Sequence, residues 1–247
     1  MPSVNNFHIF IILMAFIAEN FVAVSVSERS NETKNSKITS ESKNKLPETE
    51  SFKLTYFNGR GRAEVTRLLF AQANVSYEDI RISKAEWPAL KPKTPYGHVP
   101  ILNVSGKILA ESHAIERYLA RKFDLLGTNE WEAAKIDEII CNLEDVWVKM
   151  QPWLHEEKGT KKSEMFETLV KETITPFMQR YEQFLLNSHS PYFVGNKMSL
   201  ADLAVFHILY YFQEMTSNYP KLNEFVVKIG QMPRIKAWVN KRPITDF

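Results

Sequence analysis

Residues 52–64, FKLTYFNGRGRAE, contain the signals that decide the fold of this chain. The first six letters are rich in aromatic residues and predict a β-strand. The next four, Asn58-Gly59-Arg60-Gly61, predict a turn because Asn and Gly tolerate the backbone angles that turns require. Residues 62–73, RAEVTRLLFAQA, have the composition of a helix, with apolar residues at positions 65, 68 and 69. The stretch therefore predicts a strand, a tight turn and a helix in succession.

The residues that follow extend this unit into an α/β domain. A strand, a loop, a hairpin and a helix are predicted at residues 77–82, 87–97, 101–110 and 112–123. The loop contains Trp87-Pro88, Pro92, Pro95 and Gly97, which are too many helix and strand breakers for regular structure. The hairpin is indicated by Ser105-Gly106 between the short strands 101–104 and 107–110. The order β-α-β, loop, β-β-α defines a first domain over residues 51–126.

From residue 129 onward the pattern is almost entirely helical. Helices are predicted over residues 130–156, 163–187, 199–214, 222–230 and 233–240. Ser199 and Asp202 have the spacing of a capping box at the start of the third helix. Pro233 suits the first turn of the last helix. The change of pattern predicts a domain boundary at residues 124–129 and an all-helical second domain over residues 129–247.

The first fifty residues differ from the rest of the chain and have two unlike halves. Residues 7–18, FHIFIILMAFIA, are apolar apart from His8, and Glu19 interrupts the run before it reaches the length of a membrane span. We interpret residues 1–27 as a secretory signal peptide, with an uncleaved membrane anchor as the alternative. Residues 28–50 have too few apolar side chains to offset the entropy of ordering, so they predict a disordered polar tail.

Three glycosylation sequons agree with export from the cell. Asn31, Asn74 and Asn103 each begin an Asn-X-Ser/Thr sequence. Such sequences also occur by chance, but a signal peptide upstream makes them meaningful. We therefore expect a secreted, glycosylated protein that has no membrane span once its signal peptide is removed.

Composition excludes several classes of protein. The 31 Lys and Arg residues nearly balance the 29 Asp and Glu residues, which is too even for electrostatic binding of nucleic acid. The chain has one Cys and 6 His and contains neither a CxxC nor an HExxH motif. Zinc modules, dithiol redox centres and disulfide frameworks are therefore excluded. The 44% of hydrophobic residues and 24% of charged residues are typical of a globular protein.

The glycine-containing turn after the first strand is not a nucleotide-binding loop. The dinucleotide fingerprint needs a third Gly three residues after Gly61, and Glu64 occupies that position. A P-loop would need Gly-Lys followed by Ser or Thr, which this turn lacks. Gly59 and Gly61 are better explained by a tight turn and a close approach of the backbone to other atoms.

The domain order and its motifs together resemble the soluble glutathione transferases. The resemblance extends from about residue 53 to the C-terminus and favours the sigma class, which includes glutathione-dependent prostaglandin D synthase and secreted enzymes of parasitic nematodes. The matching motifs are Tyr56-Phe57, residues 60–64, Trp87, residues 96–102, Ser112, Ile115, residues 117–119 and the capping box at residues 199–202. The resemblance implies a thioredoxin-like α/β N-terminal domain, an all-α C-terminal domain and glutathione as co-substrate.

Tyr56 is the catalytic residue that this resemblance implies. A free thiol has a pKa of about 8.5, so only a small fraction is the reactive thiolate at neutral pH. A phenol hydroxyl that donates a hydrogen bond to the sulfur favours the thiolate, and each unit by which the pKa falls corresponds to about 1.4 kcal/mol. Arg62 is implied to help hold the same thiolate.

The resemblance further implies that several loops hold the glutathione tripeptide. Val99-Pro100 resembles a cis-proline turn whose backbone pairs with the cysteinyl part of the ligand. Ser112 and the helix N-terminus behind it suit the glutamyl carboxylate. Glu111 stands where the sigma class usually has Gln, and its carboxylate is expected to weaken binding. The complete set of expected glutathione contacts is Tyr56, Arg62, Trp87, Lys91, Gly97, His98, Val99, Pro100, Glu111, Ser112 and Asp145.

The first long helix of the second domain supplies further expectations. Asp145, in the pair Glu144-Asp145, resembles an acid that reaches the glutathione of the partner subunit, which implies a homodimer. Cys141 occupies the position of an acid that contacts a divalent ion in prostaglandin D synthase, so no metal site is expected. We interpret Cys141 as a small buried residue. His155, His189 and His207 show no motif and are interpreted as structural.

The expected function is conjugation of the glutathione thiolate to hydrophobic electrophiles. The expected second-substrate pocket is formed by Phe57, Gly61, Met150, Trp153 and parts of the C-terminal helices. Isomerisation of prostaglandin H2 to D2 is a further hypothesis that rests on the resemblance. The alternative is a non-catalytic protein that binds glutathione or hydrophobic molecules, or a structural protein, on the same scaffold. Glu111 favours this alternative, whereas Tyr56, Trp87 and Ser112 oppose it.

Overall fold

The computed structural model describes residues 50–245. The predicted signal peptide, nearly all of the predicted polar tail and the sequon at Asn31 lie outside the described residues. Within the described part of the chain, no helix is both long enough and apolar enough to cross a membrane.

The N-terminal domain is built on a four-stranded sheet with the strand order β2-β1-β3-β4. Its strands are β1 (Phe52–Phe57), β2 (Glu78–Ile82), β3 (Ile101–Val104) and β4 (Lys107–Ala110). Strand β2 runs parallel to β1, while β3 is antiparallel to both β1 and β4. The predicted first strand and hairpin are confirmed, and the second strand begins at residue 78 instead of 77.

Three helices belong to the same domain. They are α1 (Glu64–Ala73), α2 (Trp87–Leu90) and α3 (Ser112–Lys122), and a 3-10 turn at Gly61–Ala63 leads into the first of them. The prediction of a loop over residues 87–97 is wrong in its first half, because α2 is followed by a second 3-10 turn at Lys91–Lys93. Pro88 and Pro92 fit there because each lies in a first turn, where the backbone N–H has no partner within the helix.

The C-terminal domain is all helical, as predicted. Its helices are α4 (Glu130–His155), α5 (Thr160–Leu169), α6 (Thr175–Leu186), α7 (Leu200–Tyr210), α8 (Pro220–Gln231) and α9 (Pro233–Lys241). The prediction of one helix over residues 163–187 is wrong, since a π-helical turn at Val170–Ile174 separates α5 from α6. Pro176 follows that turn and has no N–H to continue the α-helical hydrogen bonds. The predicted helix 199–214 ends at Tyr210, and a separate 3-10 helix covers Gln213–Asn218.

Helix α7 lies at the centre of the molecule and joins the two domains. Every residue from Leu200 to Leu209 is buried, and the helix packs against α1 of the first domain as well as α4 and α8 of the second. The predicted capping box is confirmed: the Asp202 carboxylate accepts the backbone N–H of Ser199 at 2.8 Å. The capped start of α7 sets its axial position, and this position brings His207 to the turn after β1.

Candidate active site

The hydroxyl of Tyr56 lies against the turn that follows β1. Tyr56 is only 9% exposed, and its Oη accepts the backbone N–H of Arg62 at 3.2 Å. Gly61 has a φ of +42°, and a Cβ atom at this position would stand 2.5 Å from Tyr56 Oη. Glycine is therefore required here both for its backbone angle and for the space that the phenol occupies. Because the Oη lone pair is engaged by Arg62, the hydroxyl proton is free to point toward an incoming acceptor.

Buried hydrogen bonds hold this turn from two sides. Arg67 has no exposed surface and donates from Nη1 to the carbonyl oxygen of Gly59 at 2.6 Å and from Nε to Asp79 at 3.2 Å. His207 Nε2 lies 3.0 Å from the carbonyl oxygen of Gly61. A carbonyl oxygen only accepts, so Nε2 carries the proton. Burial lowers the pKa of His207 to about 3, which keeps this imidazole neutral at physiological pH.

The electrostatics of Tyr56 suit a donor and not a base. Burial raises the pKa of Tyr56 above its usual value, although the Arg62 backbone N–H and the charges of Arg62 and Arg67 act in the opposite direction. The phenol therefore keeps its proton at neutral pH. A neutral phenol in this place can donate a hydrogen bond to an anion such as a thiolate.

A cavity of about 330 Å³ opens beside the turn. Its lining residues are Arg62, Tyr96, His98, Val99, Pro100, Ala110, Glu111, Ser112 and Glu144. The predicted cis bond between Val99 and Pro100 is confirmed. Ser112 is buried at the first position of α3, and Glu111 precedes it with a φ of +69°. The cavity thus brings together six of the residues predicted to contact glutathione: Arg62, His98, Val99, Pro100, Glu111 and Ser112.

The other predicted contacts Trp87, Lys91, Gly97 and Asp145 are not among the residues that line this cavity. The half-buried Trp87 packs edge to face on Phe57, with ring centroids 5.5 Å apart. Lys91 is exposed, and its Cε lies 3.6 Å from the point that a Cβ on Gly97 would occupy. Gly97 has a φ of +70°, which a side chain would strain. Asp145 is exposed on α4, next to the cavity-lining Glu144.

Comparison with known protein families shows which family this chain belongs to. A family model for the N-terminal domain of glutathione S-transferases matches residues 52–121, and a model for their C-terminal domain matches residues 144–242. The chain belongs to the glutathione S-transferase family. The fold class predicted from the sequence, a thioredoxin-like domain followed by a helical domain, is therefore confirmed, and so is glutathione as the co-substrate.

This transferase matches individual members of the family over nearly the whole length of each member. Glutathione S-transferase 1 of Ascaris suum is 37% identical over 204 residues, which are 79% of this chain and 98% of the relative. Hematopoietic prostaglandin D synthase of Homo sapiens is 36% identical over 201 residues, covering 80% of this chain and 99% of the relative. The crystal structure of monomeric Na-GST-3 from the hookworm Necator americanus is 34% identical, covers 80% of this chain and 100% of its own, and superposes with a TM-score of 0.72.

The residues predicted to line the second-substrate pocket of the transferase lie in different surroundings. Gly61 lines a cavity of about 40 Å³ between the two domains. Phe57 contacts Tyr56 and Trp87, and Trp153 packs on Phe166 and Phe212. Met150 is completely buried in the core. The assignment of these residues to one pocket stays a prediction.

Four residues beside the site, namely His113, Glu116, Glu144 and Trp147, were not among the predicted site residues. Arg62 forms a two-pronged pair with Glu144, at 2.8 and 2.7 Å. His113 lies between Glu144 and Glu116, and Trp147 lies under the Arg62 guanidinium at 5.9 Å. A signal for two of them was present, because His113 and Glu116 stand three residues apart directly after Ser112 and so share one face of α3.

The prediction for Cys141 is wrong. This residue is exposed on α4, not buried. The long α4 has one apolar face that packs on the core, and its buried residues Ile136, Ile140, Leu143 and Trp147 define that face. Cys141 falls outside this helical repeat, so its side chain lies on the opposite surface.

Comparing Gly61→Ala with Gly106→Ala should separate the effect of the close contact with Tyr56 from the effect of backbone strain. The added Cβ would displace the phenol, so we expect kcat/KM for glutathione conjugation to fall at least tenfold. Gly106→Ala is the control: Gly106 has a φ of +92°, but no atom lies within 4 Å of an added Cβ. The control should lose about 1 kcal/mol of unfolding free energy and keep its activity. Equal kcat/KM values in the two variants would show that the contact with Tyr56 is unimportant.

Proposed function

We propose that this transferase conjugates the thiolate of glutathione to hydrophobic electrophiles, with the Tyr56 hydroxyl as the hydrogen-bond donor that stabilises the thiolate. The observation that carries the proposal is the state of Tyr56 Oη, which accepts the Arg62 N–H and retains a proton of its own to donate. A preorganised donor in a buried place stabilises an anion without reorganising at the moment of reaction. Because Tyr56 keeps its own phenol proton, it lowers the pKa of the glutathione thiol by donating a hydrogen bond and does not act as the base that removes the thiol proton.

The cavity of about 330 Å³ suits an extended tripeptide, and it is connected to Tyr56 through Arg62, which lines it and whose backbone N–H bonds Tyr56 Oη. Val99 offers backbone groups that can pair with the cysteinyl unit of glutathione as a neighbouring strand would. Ser112 and the first N–H groups of α3 suit the glutamyl carboxylate. Glu111 can accept from the ligand's amino group, but it places a second negative charge near that carboxylate. We therefore expect binding to be weaker than with an amide at position 111.

The competing proposal is a protein that binds glutathione without turning it over. Glu111 supports it, since weakened binding would harm an enzyme more than a storage or structural protein. The positioned donor of Tyr56 opposes it, because a binding protein needs no buried phenol at the sulfur. Retention on immobilised glutathione without any conjugation of a model electrophile would favour the binding protein.

Tyr56→Phe tests the catalytic role directly. The ring remains and the donor is lost, so kcat/KM should fall by an order of magnitude or more with the fold intact. The ultraviolet absorbance of bound glutathione near the thiolate band, followed against pH, should titrate well below a free thiol in the wild type and near about 8.5 in the variant. Tyr77→Phe is the control, because the Tyr77 hydroxyl is buried with no hydrogen-bond partner among the described residues. Unchanged turnover in Tyr56→Phe would refute the proposal.

We also propose isomerisation of prostaglandin H2 to D2 as a second activity. Its support is the 36% identity to the human prostaglandin D synthase over 99% of that protein. An isomerisation consumes no glutathione, so D2 should form while the total thiol stays constant. The same two tyrosine variants serve as test and control. A yield no higher than the spontaneous background in the wild type would exclude this activity and leave conjugation untouched.

A homodimer is the proposed assembly. Asp145 is exposed on α4 while its neighbour Glu144 lines the glutathione cavity, so Asp145 faces away from its own site and is available to a partner. Val148 is 54% exposed one turn further along the same helix and adds apolar surface to this face. The hookworm relative Na-GST-3 is described as monomeric, so the oligomeric state of this transferase has to be measured.

Sedimentation velocity combined with Asp145→Ala tests this assembly. We expect a dimer at micromolar concentration, and the variant should remain dimeric while its KM for glutathione rises severalfold, because the partner's site loses an acceptor. Glu138→Ala is the control, since Glu138 is exposed on α4 and pairs with Lys135 one turn earlier on the same helix. A monomeric wild type with full activity would contradict the proposal.

Secretion and glycosylation are proposed from the N-terminal sequence and the sequons. Asn74 is exposed at the C-terminal end of α1, whereas Asn103 lies in β3 and its Oδ1 accepts the backbone N–H of Gly106 at 2.7 Å. We therefore expect Asn74 to be the more readily modified of the two. Expression through a eukaryotic secretory pathway should yield material whose mass falls on enzymatic deglycosylation, and Asn74→Gln should reduce that loss more than Asn103→Gln. A mature N-terminus still at Met1 would contradict removal of the signal.

A further inference from the structure

Two residues that line the glutathione cavity, Arg62 and Glu144, form a cluster with His113 and Glu116, and we call these four side chains the histidine cluster. His113 Nδ1 is 2.8 Å from Glu116 Oε2, and Nε2 is 3.1 Å from Glu144 Oε2. Glu144 in turn holds the Arg62 guanidinium by both of its oxygens. The cluster joins the catalytic turn, α3 of the first domain and α4 of the second.

The geometry requires one more proton than a neutral imidazole and two carboxylates possess. Both ring nitrogens of His113 face carboxylate oxygens, and an ionised carboxylate can only accept. One further proton on the pair of His113 and Glu116 satisfies every contact, whether it sits on Nδ1 or on Glu116. In both arrangements the Nε2–H points at Glu144. The orientation of Glu144 therefore depends on that shared proton.

We infer that His113 is a positioning residue of the transferase: it holds Glu144 by its Nε2–H, and Glu144 holds Arg62 at the edge of the glutathione cavity. Arg62 also supplies the backbone N–H that Tyr56 Oη accepts, so the chain of contacts ends at the phenol. The inference rests on the proposed conjugation of glutathione, because Arg62 and Tyr56 are the groups through which it acts.

Loss of the shared proton should release Glu144 and not Glu116. A neutral imidazole can donate to only one of its two carboxylates. Glu116 is buried, and within the cluster His113 is its hydrogen-bonding partner, whereas Glu144 is partly exposed and still has Arg62. Leaving the buried carboxylate without a donor costs more, so the remaining proton moves to Nδ1. The Nε2 lone pair then faces Glu144 and repels it.

The charges around His113 support a titration above the ordinary histidine value. Burial lowers the pKa of His113, but its hydrogen bonds and the charges of Glu116 and Glu144 outweigh this and raise the pKa overall. Burial also raises the pKa of Glu116, which His113, Arg117 and Arg62 oppose. His207 of α7 lines the cavity of about 40 Å³ between the domains together with His113 and Glu116, and it stays neutral. The raised pKa means that the cluster keeps its shared proton to a higher pH than an ordinary histidine would, and loses it as the pH rises through that value.

Two substitutions of His113 separate donation from charge. His113→Gln keeps an N–H donor but cannot titrate, and His113→Leu removes the donor altogether. The control is His155→Gln, because His155 is exposed at the end of α4 and its Nδ1 bonds the carbonyl oxygen of Gln151 within the same helix. Circular dichroism and thermal unfolding would show that each variant is folded before kinetics are compared.

The decisive kinetic quantity is the ratio of wild-type to His113→Gln kcat/KM for glutathione between about pH 6 and 9. Ionisation of glutathione itself is common to both proteins and cancels in the ratio. We expect the ratio to fall about fivefold to tenfold as His113 deprotonates, and His113→Leu to be impaired at every pH. The control should follow the wild type. A ratio that does not change with pH would overturn the inference.

A second measurement is independent of turnover. The imidazole of His113 can be followed by NMR against pH in the folded protein, with its signals assigned from their loss in His113→Gln. It should titrate above about 6.5 and fall toward that value in Glu144→Gln. Titration at or below the ordinary value refutes the shared proton even if conjugation is normal. If no conjugation occurs but the imidazole titrates as expected, the proposed function fails, whereas the hydrogen bond from His113 to Glu144 and the shared proton are supported.

Discussion

The buried carboxylate of Glu64 is the constraint on which the turn after β1 depends. Glu64 has no exposed surface, and it accepts from Trp238 Nε1 at 2.9 Å and from Arg242 at 2.6 Å. Burial alone would raise the pKa of Glu64, but Arg242 and the other groups around it hold that pKa below its usual value. A buried charge is tolerated only with such compensation, and removing one partner of such a set typically costs about 3–5 kcal/mol. Arg67, also near Glu64, extends the same set of charges to the carbonyl oxygen of Gly59.

The consequence is that distant parts of the chain shape one short turn. Trp238 and Arg242 come from the C-terminal end of the chain, and His207 from α7 binds the carbonyl oxygen of Gly61. Arg60 lies over the Tyr211 ring at 4.2 Å, which adds a cation–π contact at the same place. The helical domain therefore supplies residues that hold the turn beside the phenol of Tyr56, so the geometry of this turn depends on both domains.

The polar contact between the domains also depends on Glu144 and His113, which were not among the predicted site residues. Glu144 links Arg62 of the turn to His113 of α3, and both Arg62 and Glu144 line the cavity of about 330 Å³. A serine, a cis-proline turn and a tyrosine can be shared by many members of one family. The surrounding charges decide how firmly these common parts are held and at which pH.

Local signals predicted much of this protein because they act over a few residues. The aromatic strand 52–57, the hairpin around Ser105-Gly106 and the capping box at Ser199 each follow from short-range geometry, and the structure confirms them. The break between α5 and α6 was missed because helical composition continues through Pro176. The exposure of Cys141 was missed because a small apolar residue suits a core, although the apolar repeat of α4 leaves position 141 on the opposite face.

By itself, the sequence determined the order of strands and helices, the tyrosine after the first strand and the motifs that identify the family. Only the tertiary structure decided that Glu64, which in the sequence merely excludes a nucleotide loop, gathers Arg242 and Trp238 from more than 170 residues away. The same holds for His113 and Glu144, which meet across the boundary between the domains. The physical reason is range: propensities and caps depend on neighbours along the chain, whereas buried charges are satisfied by whatever partners the fold brings to them.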